Sequence, residues 1–276
     1  MLRMTTTICI ATTTTWLSAC AQAPDTANSD YLGEVTDDIA KREGVDPLAE
    51  FDSGSNLNGG VFDVGVIPDN GVGCPAGSEE LVIKMDDEDT FNLSIRSGFV
   101  GKTNFGESSF NTRFYFCRVD GTAFRAFSKA ADAANLRDDY AVLKLGTTCP
   151  SESQEFSRTY DNEDDAGNTN FSSGVINPNV SNSNTTLFFC LYRFSSLGVT
   201  QSSFPNFGNG FRYGVFAPSD FNRGALAFGS FTSDDEDDRN ANSFSAPSDA
   251  VSAAQRIIEP GANAHASTIH HVVRAR

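Results

Sequence analysis

Histidine, tryptophan and positive charge are scarce in this chain of 276 residues. It carries three His, one Trp, and 20 Lys and Arg against 36 Asp and Glu, for a formal net charge of −16. Proteins that track phosphates need a basic stripe to release counterions, so this balance excludes nucleic acid as a partner and argues against a purely electrostatic hold on anionic lipid. The histidines, His265, His270 and His271, crowd into the C-terminal end. A Ser-His-Asp or Cys-His site would need that tail to fold back into a distant cleft. No G-x-S-x-G, G-x-x-x-x-G-K or H-E-x-x-H occurs, which removes the usual signatures of serine hydrolases, P-loop enzymes and zinc peptidases. The single Trp16 lies ahead of Cys20, so the chain beyond it has no indole on which to stack a sugar. No apolar run is long enough to cross a bilayer as a helix.

What is present is a core-forming complement of 39% hydrophobic residues, with 23 Phe and 23 Gly, on a background rich in Ser, Thr and Asn. That mixture reads as a β-rich exported protein.

The first twenty residues, MLRMTTTICIATTTTWLSAC, begin with one basic residue, Arg3, contain no acid, and end Leu17-Ser18-Ala19-Cys20. Such a segment is an export signal. Its last four residues resemble the lipobox of bacterial lipoproteins. The resemblance implies a signal over 1–19, cleavage before Cys20, and a diacylglycerol on the Cys20 sulfur that anchors the chain to a membrane. It also implies a cell-envelope location, with Ala21 suiting outer-membrane sorting in a Gram-negative host. An ordinary signal cut after Ala19 or Ala21 is the alternative. The resemblance stops at the signal, and no family is recognised for the mature domain. Residues 20–60, rich in Asp, Asn, Ser and Gly, read as a flexible tether with one short helical pattern, Asp37–Glu43, capped by Thr36.

The mature chain resembles itself. Cys74-Pro75 precedes the acidic run Asp86-Asp87-Glu88-Asp89, and Cys149-Pro150 precedes Asp161-Asn162-Glu163-Asp164, at a shared offset of 75. Asn111–Cys117 then matches Asn184–Cys190, and Tyr140–Leu143 matches Tyr213–Phe216, both at 73. A partial third copy carries Asp234-Asp235-Glu236-Asp237-Asp238 and lacks cysteine. Within a unit, Arg113–Val119, Asp120-Gly121 and Thr122–Phe127 read as a hairpin. Leu187–Phe194 is apolar on both faces and should be a central strand. Ser128 reads as the cap of a short helix over 129–137, and 249–259 as another. The expected fold is mainly β, with two similar antiparallel sandwich-like units at 61–139 and 140–212, a partial third repeat at 213–248 packed on them, and a short helix with a disordered tail over 249–276.

Six cysteines include Cys9 and Cys20 in the export region. The other four allow three pairings. One copy of each position per unit favours Cys74–Cys117 and Cys149–Cys190, and each bond would contribute roughly 3 to 4 kcal/mol by chain entropy. No close cysteine pair or nearby His supports a zinc site.

The acidic runs are the best functional candidates. Asp86 and Glu88, Asp161, Glu163 and Asp165, and Asp234, Glu236 and Asp238 alternate along the chain, and clustered hard oxygens suit Ca²⁺. The competing reading is a solvated strand end whose charge discourages edge pairing. The sequence names no catalytic residue. It points to a lipid-anchored envelope protein that serves as a binding or structural surface module, with an extracellular protein or polysaccharide as partner. The alternative is a His-independent glycoside hydrolase using paired Asp and Glu.

Overall fold

A computed structural model of the protein describes residues 60–88, 94–105, 111–128, 138–163, 169–193, 199–221, 223, 227–236, 241–261 and 267–276. All of them fall within the unit Phe51–Arg276. The proposed signal, Cys20, the tether and the helical patterns at 37–43 and 129–137 lie outside the described residues.

The protein is mainly β, as its aromatic and β-branched runs require. Among the described residues there are fifteen strands. They are β1 (Asp63–Pro68), β2 (Glu80–Met85), β3 (Ile95–Gly98), β4 (Asn104–Phe105), β5 (Thr112–Asp120), β6 (Tyr140–Lys144), β7 (Ser153–Tyr160) and β8 (Phe171–Ser173). There follow β9 (Val180–Ser181), β10 (Thr185–Tyr192), β11 (Tyr213–Phe216), β12 (Phe228–Ser233), β13 (Ser243–Ser245), β14 (Ile258–Pro260) and β15 (Thr268–Arg274). One short helix, α1, spans Val251–Gln255.

One pairing scheme occurs three times. Strand β5 is flanked by β1 and β2, β10 by β6 and β7, and β15 by β11 and β12, all antiparallel. Each trio gains a fourth strand from another part of the chain: β8 pairs with β2, β13 with β7, and β3 with β12. These three arms join where β1, β6 and β11 pair with one another. At the junction each of the three pairings sets one small residue against a large one: Gly65 opposite Leu143, Ala141 opposite Phe216, and Gly214 opposite Ile67. The space is tight. A Cβ on Gly214 would lie 2.8 Å from Phe99 Cε1, and one on Gly65 would lie 3.1 Å from the Cβ of Phe116.

Alternation along the central strands feeds two apolar clusters. Leu187, Phe189 and Leu191 of β10 join Ile83, Phe114, Phe116, Phe216 and Phe231, whereas Cys190 and Tyr192 join Cys117, Phe124, Tyr140 and Tyr213. The two-faced apolar pattern of β10 therefore has the expected cause, since neighbours flank it and a core covers each face. Each fully buried Leu or Phe contributes roughly 1.5–3 kcal/mol relative to staying exposed. The disulfides are Cys74–Cys117 and Cys149–Cys190, with Cα separations of 5.3 and 5.5 Å.

Several expectations need correction. Discrete sandwich-like units are not what the strands form: each arm borrows its fourth strand, so no segment closes a sheet alone. The hairpin after β5 is replaced by a 3-10 turn at Gly121–Ala123, because an Asp120 side-chain oxygen accepts from the Thr122 N–H and turns the chain. Phe124 and Phe127 then enter the second cluster instead of a strand. The tail after α1 is ordered at its end, where Thr268–Arg274 lies between β11 and β12. His270 makes this possible by packing as a neutral ring, parallel to Phe231 with centroids 4.4 Å apart and hydrogen-bonded at 2.9 Å to the Tyr160 hydroxyl. Burial holds it uncharged, with its pKa lowered to about 3.

Candidate functional site

The acidic runs begin where three equivalent strands end. After β2 come Asp86, Asp87 and Glu88; after β7, Asp161, Asn162 and Glu163; after β12, Asp234, Asp235 and Glu236. Their backbones bond in a closed circuit. The Glu163 N–H donates to the Asp86 carbonyl at 3.0 Å, Glu236 to Asp161 at 2.7 Å, and Glu88 to Asp234 at 3.0 Å. Three strand ends from three arms are thus tied into one ring.

The first residue of each run is held by the residue just ahead of the strand its arm borrows. Asp86 N–H donates to Asn170 Oδ1 at 2.7 Å, Asp161 N–H to Asn242 Oδ1 at 3.3 Å, and Asp234 N–H to Ser94 Oγ at 3.3 Å. In return the carboxylates of Asp86 and Asp161 accept from the Thr169 and Ala241 N–H groups. In two of the runs the second residue accepts from a threonine at the start of the central strand. Thr112, Thr185 and Thr268 stand opposite the last residues of β2, β7 and β12. Thr112 donates to Asp87, joined by Ser94 at 3.0 Å. Asp235 accepts from Thr268 and from Arg158 Nη2, each at 3.0 Å.

The ring is unusual for its burial. Asp87 and Asp235 are each 1% exposed, Asp161 2%, and Asn162 and Asp234 0%. Desolvation disfavours their charged forms. It raises Asp87 well above the ordinary carboxylate range, assisted by the charges of Asp235 and Asp234 and opposed by the Thr112 and Ser94 hydroxyls. It pushes Asp235 up to about 7 against the pull of Arg158 and Thr268. Asp87 Oδ1 and both polar side-chain atoms of Asn162 are buried and make no hydrogen bond among the described residues.

Of the residues expected from sequence, Asp86, Glu88, Asp161, Glu163, Asp234 and Glu236 lie on this ring, while Asp165 and Asp238 are outside the described residues. The alternate residues were the expected ligands. Instead Asp86 and Asp161 are engaged by backbone donors, and the middle position, Asp87, Asn162 and Asp235, carries the unsatisfied and perturbed groups. That position was missed; its signal was the same threonine two residues before the apolar run, Thr112 and Thr185, in both aligned copies. Among the described residues, no group of three or more His, Cys, Asp or Glu is arranged to hold a metal ion.

Fold and ring together define a mainly β, disulfide-linked module whose three arms meet at buried acidic strand ends. The chain belongs to the Bacterial ApeC family, whose model matches residues 25–193. This corrects the expectation that the mature domain belongs to no recognised family, and it places the start of the family region inside the stretch read as a tether. No curated protein and no solved structure matches the chain.

Proposed function

We propose that the protein is a lipid-anchored module of the cell envelope, held through Cys20, that offers a binding surface to an extracellular protein or polysaccharide and takes a hard cation such as Ca²⁺ at the acidic ring. The observation that supports the cation is the ring itself. Five aspartates, Asp86, Asp87, Asp161, Asp234 and Asp235, are buried around one hydrogen-bonded circuit. Arg158 pairs with one of them. Buried charge at this density is relieved by protons or by a cation. Asp87 Oδ1 and Asn162 Oδ1 are oxygens without a hydrogen-bond partner among the described residues, and a charged and a neutral oxygen are both Ca²⁺ ligands.

Protons and Ca²⁺ compete for the same oxygens. With Asp235 at about 7, Ca²⁺ should bind more weakly at pH 6 than at pH 8. Thermal unfolding with Ca²⁺ or EDTA at both pH values tests this. At a hundred times the dissociation constant a ligand adds about 2.7 kcal/mol, so a clear rise in Tm is expected at pH 8 and a smaller one at pH 6. Equal melting in Ca²⁺ and EDTA at pH 8, with no heat of binding, removes the cation. The anchor is tested by Cys20→Ser, which should release the protein from membranes; retention would refute it. A glycosidase reading needs two carboxyl groups across an open cleft. The carboxylates gathered here are buried, which favours binding over hydrolysis.

A further inference from the structure

We propose that an arginine-lined cavity, distinct from the ring, binds a small ligand through a carboxylate or phosphate group. The cavity, about 710 Å³, is lined by Arg96 of β3, Arg212 just before β11, Arg274 of β15, Asp69, Asn70 and the Phe99 region. Three arginines and a single acid line it, in a chain whose net charge is −16. Asp69 sets one negative charge against the two of Arg212 and Arg274. Its Oδ2 is shared by Arg212 at 3.4 Å and Arg274 at 3.3 Å. Arg274 also lies over the Phe99 ring, 4.6 Å from its centroid, and its Nε is buried with no hydrogen-bond partner among the described residues. Its guanidinium plane is therefore fixed by an aromatic face and one carboxylate, with donor capacity left over.

The threefold pairing scheme shows that this concentration of charge is specific to one place. By register, the position of Arg96 is held in the other arms by Ser172 and Phe244. That of Arg212, one residue before the junction strand's matching start, is held by Asp139 and Asp63, and that of Arg274 by Leu191 and Arg118. Arg118 is already committed, at 3.1 Å to both Asp63 and Glu79. Only the third arm assembles three guanidiniums around open space. Planar guanidinium forks match carboxylate and phosphate oxygens in pairs, and the shared chemistry of the ligand is thus an anionic oxygen group on a small molecule.

Calorimetric titration of the exported protein with inorganic phosphate and, separately, with glucuronate tests the site at matched ionic strength. Saturable binding of phosphate alone identifies a phosphorylated ligand, of glucuronate alone a carboxylated one, and binding of both an anion site without that choice. Arg212→Gln is the diagnostic variant, because the side chain is 56% exposed and its loss leaves the fold intact. It should weaken binding about tenfold. Arg113→Gln, on β5 and away from the cavity, should bind as the parent does. Saturation by neither anion, or equal affinity in the Arg212 and Arg113 variants, overturns the proposal.

Discussion

Two of the arms are tied by a disulfide and the third is not, although all three share one pairing scheme. Val66 faces Cys117 and Val142 faces Cys190, but Val215 faces Val273. Where the covalent tie is missing, a buried charge tie stands nearby. Arg158 reaches from β7 to Asp235 after β12 and to Thr268 of β15, with side chains 5% and 0% exposed for the ion pair. The positions matching Arg158 are Ile83 and Phe231. The same backbone scheme is thus held in two ways, one indifferent to pH and one dependent on it.

Breaking the charged tie should have the largest effect. Arg158→Met leaves Asp235 buried without its partner, which costs about 3–5 kcal/mol in such sites. Because the folded pKa of Asp235, about 7, stands above its ordinary 3.8, the folded state binds this proton more tightly. Its contribution is complete below about 3.8 and is lost as pH rises to 7. The Arg158→Met penalty, read from urea unfolding, should therefore be clearly smaller at pH 5 than at pH 8; a penalty equal at both would show that charge is not what Arg158 contributes. Replacing Cys149 and Cys190 together by Ala should cost about 3–4 kcal/mol, with no difference between pH 5 and pH 8. A marked pH slope for that pair would erase the contrast between the arms.

The junction sharpens the comparison on a smaller scale. Gly214→Ala brings a methyl to 2.8 Å from Phe99, whereas Gly65→Ala brings one to 3.1 Å from Phe116. Overpacking costs typically about 1–3 kcal/mol, and the Gly214 variant should lie at the upper end, measured by Tm. Equal losses would mean that the third arm yields as readily as the first. His270→Phe should change stability least at pH 7, by about 1 kcal/mol for the lost Tyr160 hydrogen bond. The folded pKa of His270, about 3, is below its ordinary 6.5, so its stabilisation is present above 6.5 and lost as pH falls. The variant should accordingly lose less stability than the parent between pH 6.5 and pH 4, a window in which Asp235 acts in the opposite sense.

The sequence was readable where side-chain pattern and backbone agree. Leu187–Tyr192 alternates between two cores and reads as central; the cysteines recur with their neighbours and pair as their positions suggest. It misled where one residue type can do two jobs. His270 and His271 looked like a polar tail because neutral burial of a histidine leaves no mark on composition. Asp87 and Asp235 looked solvated because a charge run normally is, and only three-dimensional closure of the ring desolvates them. The exchange of β3, β8 and β13 was hidden for another reason: short strands pairing with distant segments carry no local period.

That exchange governs how the chain reaches its folded state. No arm can be finished from contiguous chain, since β2 waits for β8, β7 for β13, and β3 remains without its partner until β12 is available. Such non-local topology folds slowly, and until it closes, every arm exposes an unsatisfied strand edge. Sticking of half-assembled molecules to one another, rather than melting of finished ones, is thus the hazard that the folding of this protein has to manage.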